Sequence, residues 1–513
     1  MDTPITGSKG AITFVVMTAA LMALVDITIV NVALNDIRAS FGTPLDQIGW
    51  VSTGYMMANI VIIPLTGWLQ RRFGIRRYFA ASILVFTAAS VLCGVAWSLP
   101  SLVIFRALQG LGGGAIMPTS QTILFARYPR EQHGTAAALM GLGAVTGPLL
   151  GPTIGGYMIE WASWHWVFLV NVPLGLLAAF LALRVIKEPG FAPSKAPVDV
   201  FGISLLAVGM ASLQYVMEEG NRDGWFESRT ITVLAAVAAI ALITFFVHEL
   251  ETDHPVVDLR VFRNRTYAAG TGINFLLGLT LFAGNFLFAL YCGVVMRYTA
   301  LDIGHVFLVS GAIQLVLLPM VGKVVGKFDA RLFLVVGIIG VATSLWLNAH
   351  LTNQAGFWDL TQPMLLRAIS MSFIFIPVSI LALSDLPFQQ RGNATGLFNL
   401  TRELGGSLGT AWMGFLVERG TTIRASYLRE SITPQNPLVQ EQLAAIQATL
   451  GQQTWTAQLV PETVLALKVR IQALILSFNH GFAQATGLFL IALLLVGVIR
   501  RPKSGSAPAA GAH

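Results

Sequence analysis

Three charged side chains sit where charge is costly. Asp26 lies in Leu24-Val-Asp26-Ile-Thr28-Ile-Val-Asn31-Val-Ala-Leu34, a stretch otherwise dominated by apolar residues. An ionised carboxylate inside hydrocarbon costs about 2.5–3.5 kcal/mol or more. Desolvation therefore favours its neutral form, and a group with that bias is suited to taking up and releasing a proton. The plainer reading is a structural aspartate held by Thr28 or Asn31. Arg106, followed by Gln109-Gly110-Leu-Gly112-Gly113-Gly114, is the second. A lone guanidinium among apolar residues needs an acid or several carbonyls. Pairing with Asp26 would couple protonation to helix movement; a static counter-charge is the alternative. Glu403, beside Arg402, is the third. Adjacent helix positions point in different directions, so these two need not pair. Glu403 can serve as a second proton site, contact a cationic substrate, or snorkel to the surface.

Other chemistry finds little support in the chain. No GxxxxGK[ST] phosphate loop occurs, which argues against nucleotide drive and leaves an ion gradient. No nucleophile constellation or metal-ligand cluster stands out, and the reading includes no metal and no cofactor. The two cysteines, Cys93 and Cys292, lie inside apolar stretches, which suggests core or lipid-facing roles without a disulfide.

The elements that must position these residues follow from composition. Apolar residues make up 55% of the 513, charged residues 11%, and mean hydropathy is +0.70. An ordinary globular protein is about a quarter charged. Backbone groups in hydrocarbon must satisfy one another, which leaves helices or closed barrels. The apolar runs are continuous and near twenty residues, which selects helices. The expected fold class is an all-α membrane protein. Fourteen spans are predicted, near 12–33, 48–69, 78–98, 102–124, 135–158, 165–186, 199–217, 230–248, 268–291, 304–325, 332–350, 361–383, 394–417 and 480–499.

A net charge of +7 would suggest nucleic acid in a soluble protein. Here the basic residues cluster in alternate loops, as at Arg71, Arg72, Arg76 and Arg77, at Lys195, at Arg260, Arg263 and Arg265, and at Arg500, Arg501 and Lys503. That asymmetry places both termini in the cytoplasm and excludes nucleic acid as the expected partner. No cleavable signal is evident at the start of the chain.

An internal repeat divides the chain. Pro64-Leu-Thr-Gly67-Trp-Leu-Gln-Arg-Arg72-Phe73-Gly74-Ile-Arg76 recurs as Pro319-Met-Val-Gly322-Lys-Val-Val-Gly-Lys327-Phe328-Asp-Ala-Arg331. Arg106-Ala107 is echoed by Arg367-Ala368, each with a proline downstream. Two such matches predict parallel halves, one of the known transporter plans. The expected organisation is a six-helix bundle over 1–190, two inserted helices over 191–255, and a second six-helix bundle over 256–503. A short disordered cytoplasmic tail at 504–513 follows.

Two further segments carry conformational rather than chemical signals. Gly143, Gly147, Gly151 and Gly155 recur every fourth residue, with Pro148 and Pro152 at the same spacing. Such a stripe lets another backbone approach closely, and the expected role is sealing between the halves. Gly67, Arg72, Gly74 and Arg76 form a tight basic turn that can anchor the membrane face or latch onto helix ends of the other half. Residues 420–479 read as a long outer loop whose apolar part, Val464 to Phe478, suggests an interfacial helix or a docking surface.

Together these motifs resemble the fourteen-helix drug:proton antiporter family of the major facilitator superfamily, of the EmrB/QacA type. The resemblance runs over nearly the whole chain. It rests on Asp26–Leu34, Arg106 with Gln109-Gly110, Gly143–Gly156, Ser163-Trp-His-Trp166 with Asn171-Val-Pro173, Pro255-Val-Val-Asp258, and Arg402 with Gly406-Ser407. It implies a major facilitator fold and export of hydrophobic or cationic amphipathic drugs by alternating access. It further implies drive by a proton gradient, with Asp26 in the coupling role, in a bacterial inner membrane. Relatives of Gram-negative bacteria work with a periplasmic adaptor and an outer-membrane channel. The chain departs from the family in Arg71, where aspartate is usual, and in His165, where arginine is common. Candidate substrate residues, chosen as polar groups in apolar spans, are Asn31, Tyr55, Gln109, Asn285 and Asn399. A dedicated exporter of one metabolite, fatty acid or antibiotic is the second reading; a non-transporting membrane sensor is the third.

Overall fold

The computed structural model describes residues 5–194, 197–383, 386–430, 437, 439–444 and 461–499. Lys195, Arg500, Arg501, Lys503 and the 504–513 tail lie outside them, as does much of 431–460. The long helices are α1 (Lys9–Phe41), α2 (Trp50–Phe73), α3 (Ile75–Gly94), α4 (Leu99–Arg127), α5 (His133–Trp161) and α6 (His165–Val185). They continue as α7 (Val200–Glu219), α8 (Arg229–Glu251), α9 (Arg265–Val294) and α10 (Ala300–Val324). The last are α11 (Ala330–Asn348), α12 (Phe357–Leu383), α13 (Phe388–Glu430) and α14 (Pro461–Val498).

Each predicted span overlaps one of these helices. Eleven of the helices are long and apolar enough to cross a membrane. The others are α2, α5 and α13, and each of them contacts the opposite group of helices. The structure therefore supports a polytopic helical protein without establishing a count of fourteen crossings.

Local chemistry marks the helix ends. Ser98 and Ser101 form a reciprocal capping box at the start of α4, and Thr299 with Asp302 does the same for α10. Each satisfies backbone donors that the first turn leaves open. Gly42 ends α1 in the left-handed conformation. Gly74, with φ +83, makes the turn between α2 and α3. A side chain is strained at that φ, and one added there would also crowd the Glu188 carboxylate.

Helices α1 to α6 pack on one another, as do α9 to α14, and α7 pairs with α8. The two groups meet through α2 with α13 and α5 with α10, with α7 standing against both α2 and α13. The repeated glycines mark these seams. A Cβ on Gly67 would meet the Asn393 backbone, and one on Gly322 would lie 2.7 Å from the Ala138 Cβ and the Gly134 carbonyl. Both contacts sit at the end of the bundle carrying the basic turns.

The expected outer loop is mostly helix. α13 runs for 43 residues and α14 for 38. At 1.5 Å per residue these are about 65 and 57 Å long, roughly twice the hydrocarbon thickness. Segment 464–478 is thus the collinear start of α14, not a separate helix lying on the bundle. Its contact with α13 includes Arg424 Nη1 donating to Ser477 Oγ at 3.2 Å. The α13 extension lacks the apolar run that marks a span, yet Arg, Glu, Ala and Leu favour helix without a membrane.

Candidate functional site: a buried ion pair with an amide cage

Asp26 faces inward from α1 and is 0% exposed. Its Oδ2 lies 2.7 Å from Arg106 Nη1 on α4, which is 1% exposed as a residue. Oδ1 accepts from Gln109 Nε2 at 2.9 Å and from Asn171 Nδ2 at 2.7 Å. Neither Thr28 nor Asn31 takes that part. Thr28 Oγ1 donates to the Gly147 carbonyl of α5 at 3.0 Å, and Asn31 accepts from Ser52 near the bundle surface. The carboxylate is therefore held by groups from α4 and α6, not by its own helix.

The cation has a second set of partners. Arg106 Nη1 also donates to Gln109 Oε1 at 2.7 Å, and its Nε to the Val51 carbonyl of α2 at 3.3 Å. The guanidinium carbon stands 4.2 Å from the centre of the Tyr55 ring, a cation–π distance. Ser90 of α3 joins the cage, accepting from Gln109 at 2.8 Å and Asn171 at 3.0 Å. Glycines let the helices close around this point. A Cβ on Gly112 would sit 2.5 Å from the Phe86 backbone nitrogen of α3, and one on Gly113 would collide with the Tyr55 hydroxyl.

The desolvation argument made Asp26 a carboxyl biased toward its neutral form. The geometry surrounds it with three side-chain hydrogen-bond donors, one of them a cation. Protonation would leave Arg106 buried without its counter-charge, and losing one member of a buried pair costs about 3–5 kcal/mol.

Glu403 is not part of this cluster. Its Oε1 lies 3.5 Å from Arg402 Nη2, and its side chain is 31% exposed. The neighbours thus do approach each other, loosely. The five candidate substrate residues also separate. Gln109 belongs to the Asp26 cage, and Tyr55 stacks on Arg106. Asn399 Nδ2 donates to Gln121 of α4 at 2.9 Å, tying α13 across to the first group. Asn285 bonds Arg367 on α12, and Asn31 is exposed.

The glycine stripe of α5 packs closely, but its partner is α1 rather than the other half. A Cβ on Gly147 would lie 2.7 Å from Leu24 Cβ, one on Gly151 would clash with Thr28 Oγ1, and one on Gly155 would lie 2.8 Å from Ile29. Gly143 approaches Leu24 more loosely, at 3.5 Å. The side chains of Pro148 and Pro152 lie outside the described residues. The seam between the halves uses Gly134, Ala138 and Gly141 instead, one end of the same helix. In the basic turn, Arg72 Nη1 donates to the Ser194 carbonyl at 2.8 Å, and Arg76 bonds the Leu183 carbonyl. Glu188 accepts from the Arg76 backbone at 3.3 Å, and burial pushes its carboxyl above the usual range. Contact with the other half falls to Gly67, while Asn393 clamps the Asp258 backbone, donating at 2.8 Å and accepting at 3.1 Å. Arg71, the departure from the family pattern, interacts electrostatically with Asp258.

Sequence reasoning quoted Asn171 only within the Asn171-Val-Pro173 motif and passed over Ser90, although each is a polar residue in an apolar span, the criterion that picked Gln109. It also missed Glu219, buried on α7, which accepts from Thr53 of α2 at 3.3 Å and pairs with Arg222 at 2.8 Å.

A long-helix bundle with this many apolar helices and a buried charge pair defines a multi-pass membrane protein. The description of the Major Facilitator Superfamily matches residues 16–410, and the chain belongs to that family. It is 32% identical over 497 residues to the multidrug export protein EmrB of Haemophilus influenzae, covering 97% of this chain and 96% of the relative. It is 30% identical over 485 residues to the fatty acid resistance protein FarB of Neisseria gonorrhoeae, covering 94% of each. Among solved structures, the proton:xylose symporter XylE aligns with a TM-score of 0.62 at 15% identity, over 95% of this chain and 94% of that one. That likeness establishes a shared major facilitator fold.

Proposed function

We propose that this chain is a proton-driven antiporter, not an enzyme, that exports hydrophobic or cationic amphipathic compounds by alternating access. The observation that carries the reading is the fully buried Asp26–Arg106 pair inside its amide cage. A proton on Asp26 cancels the ion pair and releases Arg106 onto Gln109, the Val51 carbonyl and the Tyr55 ring. The uncompensated cation then favours whichever arrangement of the two bundles gives it better solvation. Proton entry thereby becomes a conformational bias, with no cofactor involved.

The glycine seams at Gly67–Asn393 and Gly134–Gly322 are where that bias acts. The basic-turn end of the bundle is assigned to the cytoplasm by the loop charges, which places both termini there and the α13–α14 extensions in the periplasm of an inner membrane. Those extensions are the natural seat for a periplasmic adaptor leading to an outer-membrane channel. The likeness to EmrB supports drugs as cargo. The likeness to FarB supports a second reading, a dedicated exporter of a fatty acid or similar single compound.

Proteoliposomes with an imposed pH gradient test both readings, using a panel of dyes, cationic drugs and medium-chain fatty acids. Gradient-driven accumulation is expected for the wild type and lost in Asp26→Asn. Absence of accumulation of every compound overturns the antiporter reading, and coupling retained in Asp26→Asn removes Asp26 from its role. Accumulation of fatty acids alone selects the second reading.

A further inference from the structure

The second half carries a neutral copy of the Asp26–Arg106 pair. Arg367 on α12 stands in the fold where Arg106 stands on α4, and each is followed by alanine. Its partner on α9, the counterpart of α1, is Asn285, whose carbonyl oxygen accepts from Arg367 Nη2. An amide has replaced the carboxylate. Among the described residues no acid lies within ion-pair distance of Arg367, which is 6% exposed.

Its other terminal nitrogen, Nη1, is fully buried with no hydrogen-bond partner. Gly284 gives it room, since a Cβ there would stand 3.0 Å from Nη1 and 3.4 Å from Leu345 of α11. One turn beyond Leu345, Asn348 is 0% exposed with both its amide oxygen and nitrogen unpartnered. Arg367 is thus a buried cation with one N–H arm unmet. A buried guanidinium without a counter-charge is strongly disfavoured. Since the Asn285 oxygen is occupied by Arg367, its amide N–H groups remain as donors beside the cation.

We propose that Arg367 and Asn285 form a binding site for a singly charged anion, a halide or a carboxylate, which supplies the counter-charge that Asp26 supplies to Arg106. Carboxylate and halide share the chemistry required: one negative charge and lone pairs for two converging N–H donors. The halves thus divide the work. The first holds a built-in carboxyl group, and the second recruits an exchangeable anion.

The test is thermal unfolding of the full chain in nanodiscs at constant ionic strength, with chloride or octanoate titrated against sulfate, a divalent anion outside the proposed class. A saturable rise in the unfolding midpoint with chloride, displaced by octanoate, is the expected result for a carboxylate site. A rise with chloride that octanoate leaves unchanged assigns the site to halides. Arg367→Gln should abolish the dependence. Asn285→Asp provides a built-in counter-charge, so it should raise the midpoint in sulfate and remove the response to either anion. This second variant keeps the test decisive if Arg367→Gln fails to fold. No anion-dependent shift in the wild type, or an Asn285→Asp protein that responds like the wild type, overturns the proposal and leaves water as the partner of Nη1. The readout needs no transport and no pH gradient, so it stands apart from the antiporter reading.

Discussion

The α-carbon of Asn393, at the start of α13, would lie 2.5 Å from a Cβ on Gly67 of α2. Glycine is what lets the two halves touch here, and its repeat counterpart Gly322 plays the same part against Gly134. Gly67→Val should therefore disfavour this closed arrangement. Overpacking costs about 1–3 kcal/mol, which shifts a two-state population by roughly 5- to 100-fold. Spin labels on the basic-turn ends of α2 and α13 should report a longer distance in the variant. An unchanged distance distribution would show that the contact does not govern closure.

Asp26 and Arg106 should be strongly coupled in stability. Asp26→Asn and Arg106→Gln each leave a partner behind, and each should destabilise the fold by about 3–5 kcal/mol. The double variant removes both charges and should cost clearly less than the two single effects combined. Chemical unfolding in mixed micelles of the four proteins measures the difference. Additive effects would mean that the pair is not formed in the membrane.

The sequence made this pair legible because each charge sits alone in a long apolar run, where a compensating partner is obligatory. The spans were legible for the same reason, and the repeat anticipated both the seams and the correspondence of Arg106 with Arg367. The partners of the pair were harder to see. Asn171 lies 145 positions from Asp26, and nothing in a single sequence tells which of many polar residues shares its depth and facing. The stripe on α5 announced close packing but could not name α1 as its partner, since any helix can fill a glycine groove. The α13 extension was read as loop because its helicity no longer carries the hydropathy of a span; the apolar start of α14 was legible, but its continuity with the following span was not.

Glu403 is expected to be dispensable for proton coupling. Its pairing with Arg402 is long, at 3.5 Å, and close to a third of its side chain is exposed. Such pairs contribute at most about 1 kcal/mol. Glu403→Gln should unfold near the wild-type midpoint and retain gradient-driven accumulation. Loss of coupling with normal folding would instead establish a second proton site on α13.

The α13–α14 hairpin offers a covalent check on its own geometry. A Cβ on Gly420 would lie 3.5 Å from the Ser477 Cβ, at the near edge of the separation that disulfides bridge. Cys93 and Cys292 are buried and free, so they should compete little with an introduced pair. Gly420→Cys combined with Ser477→Cys should crosslink under mild oxidation, seen by mass spectrometry as one disulfide-linked pair of tryptic peptides. If 464–478 lay flat on the membrane as a separate helix, the same two cysteines would sit apart and remain free thiols open to alkylation. Crosslinking that leaves transport intact would further show that the extensions stay parallel through the transport cycle, as a rigid platform for an adaptor must. Crosslinking that stops transport would place relative movement of α13 and α14 within the cycle itself.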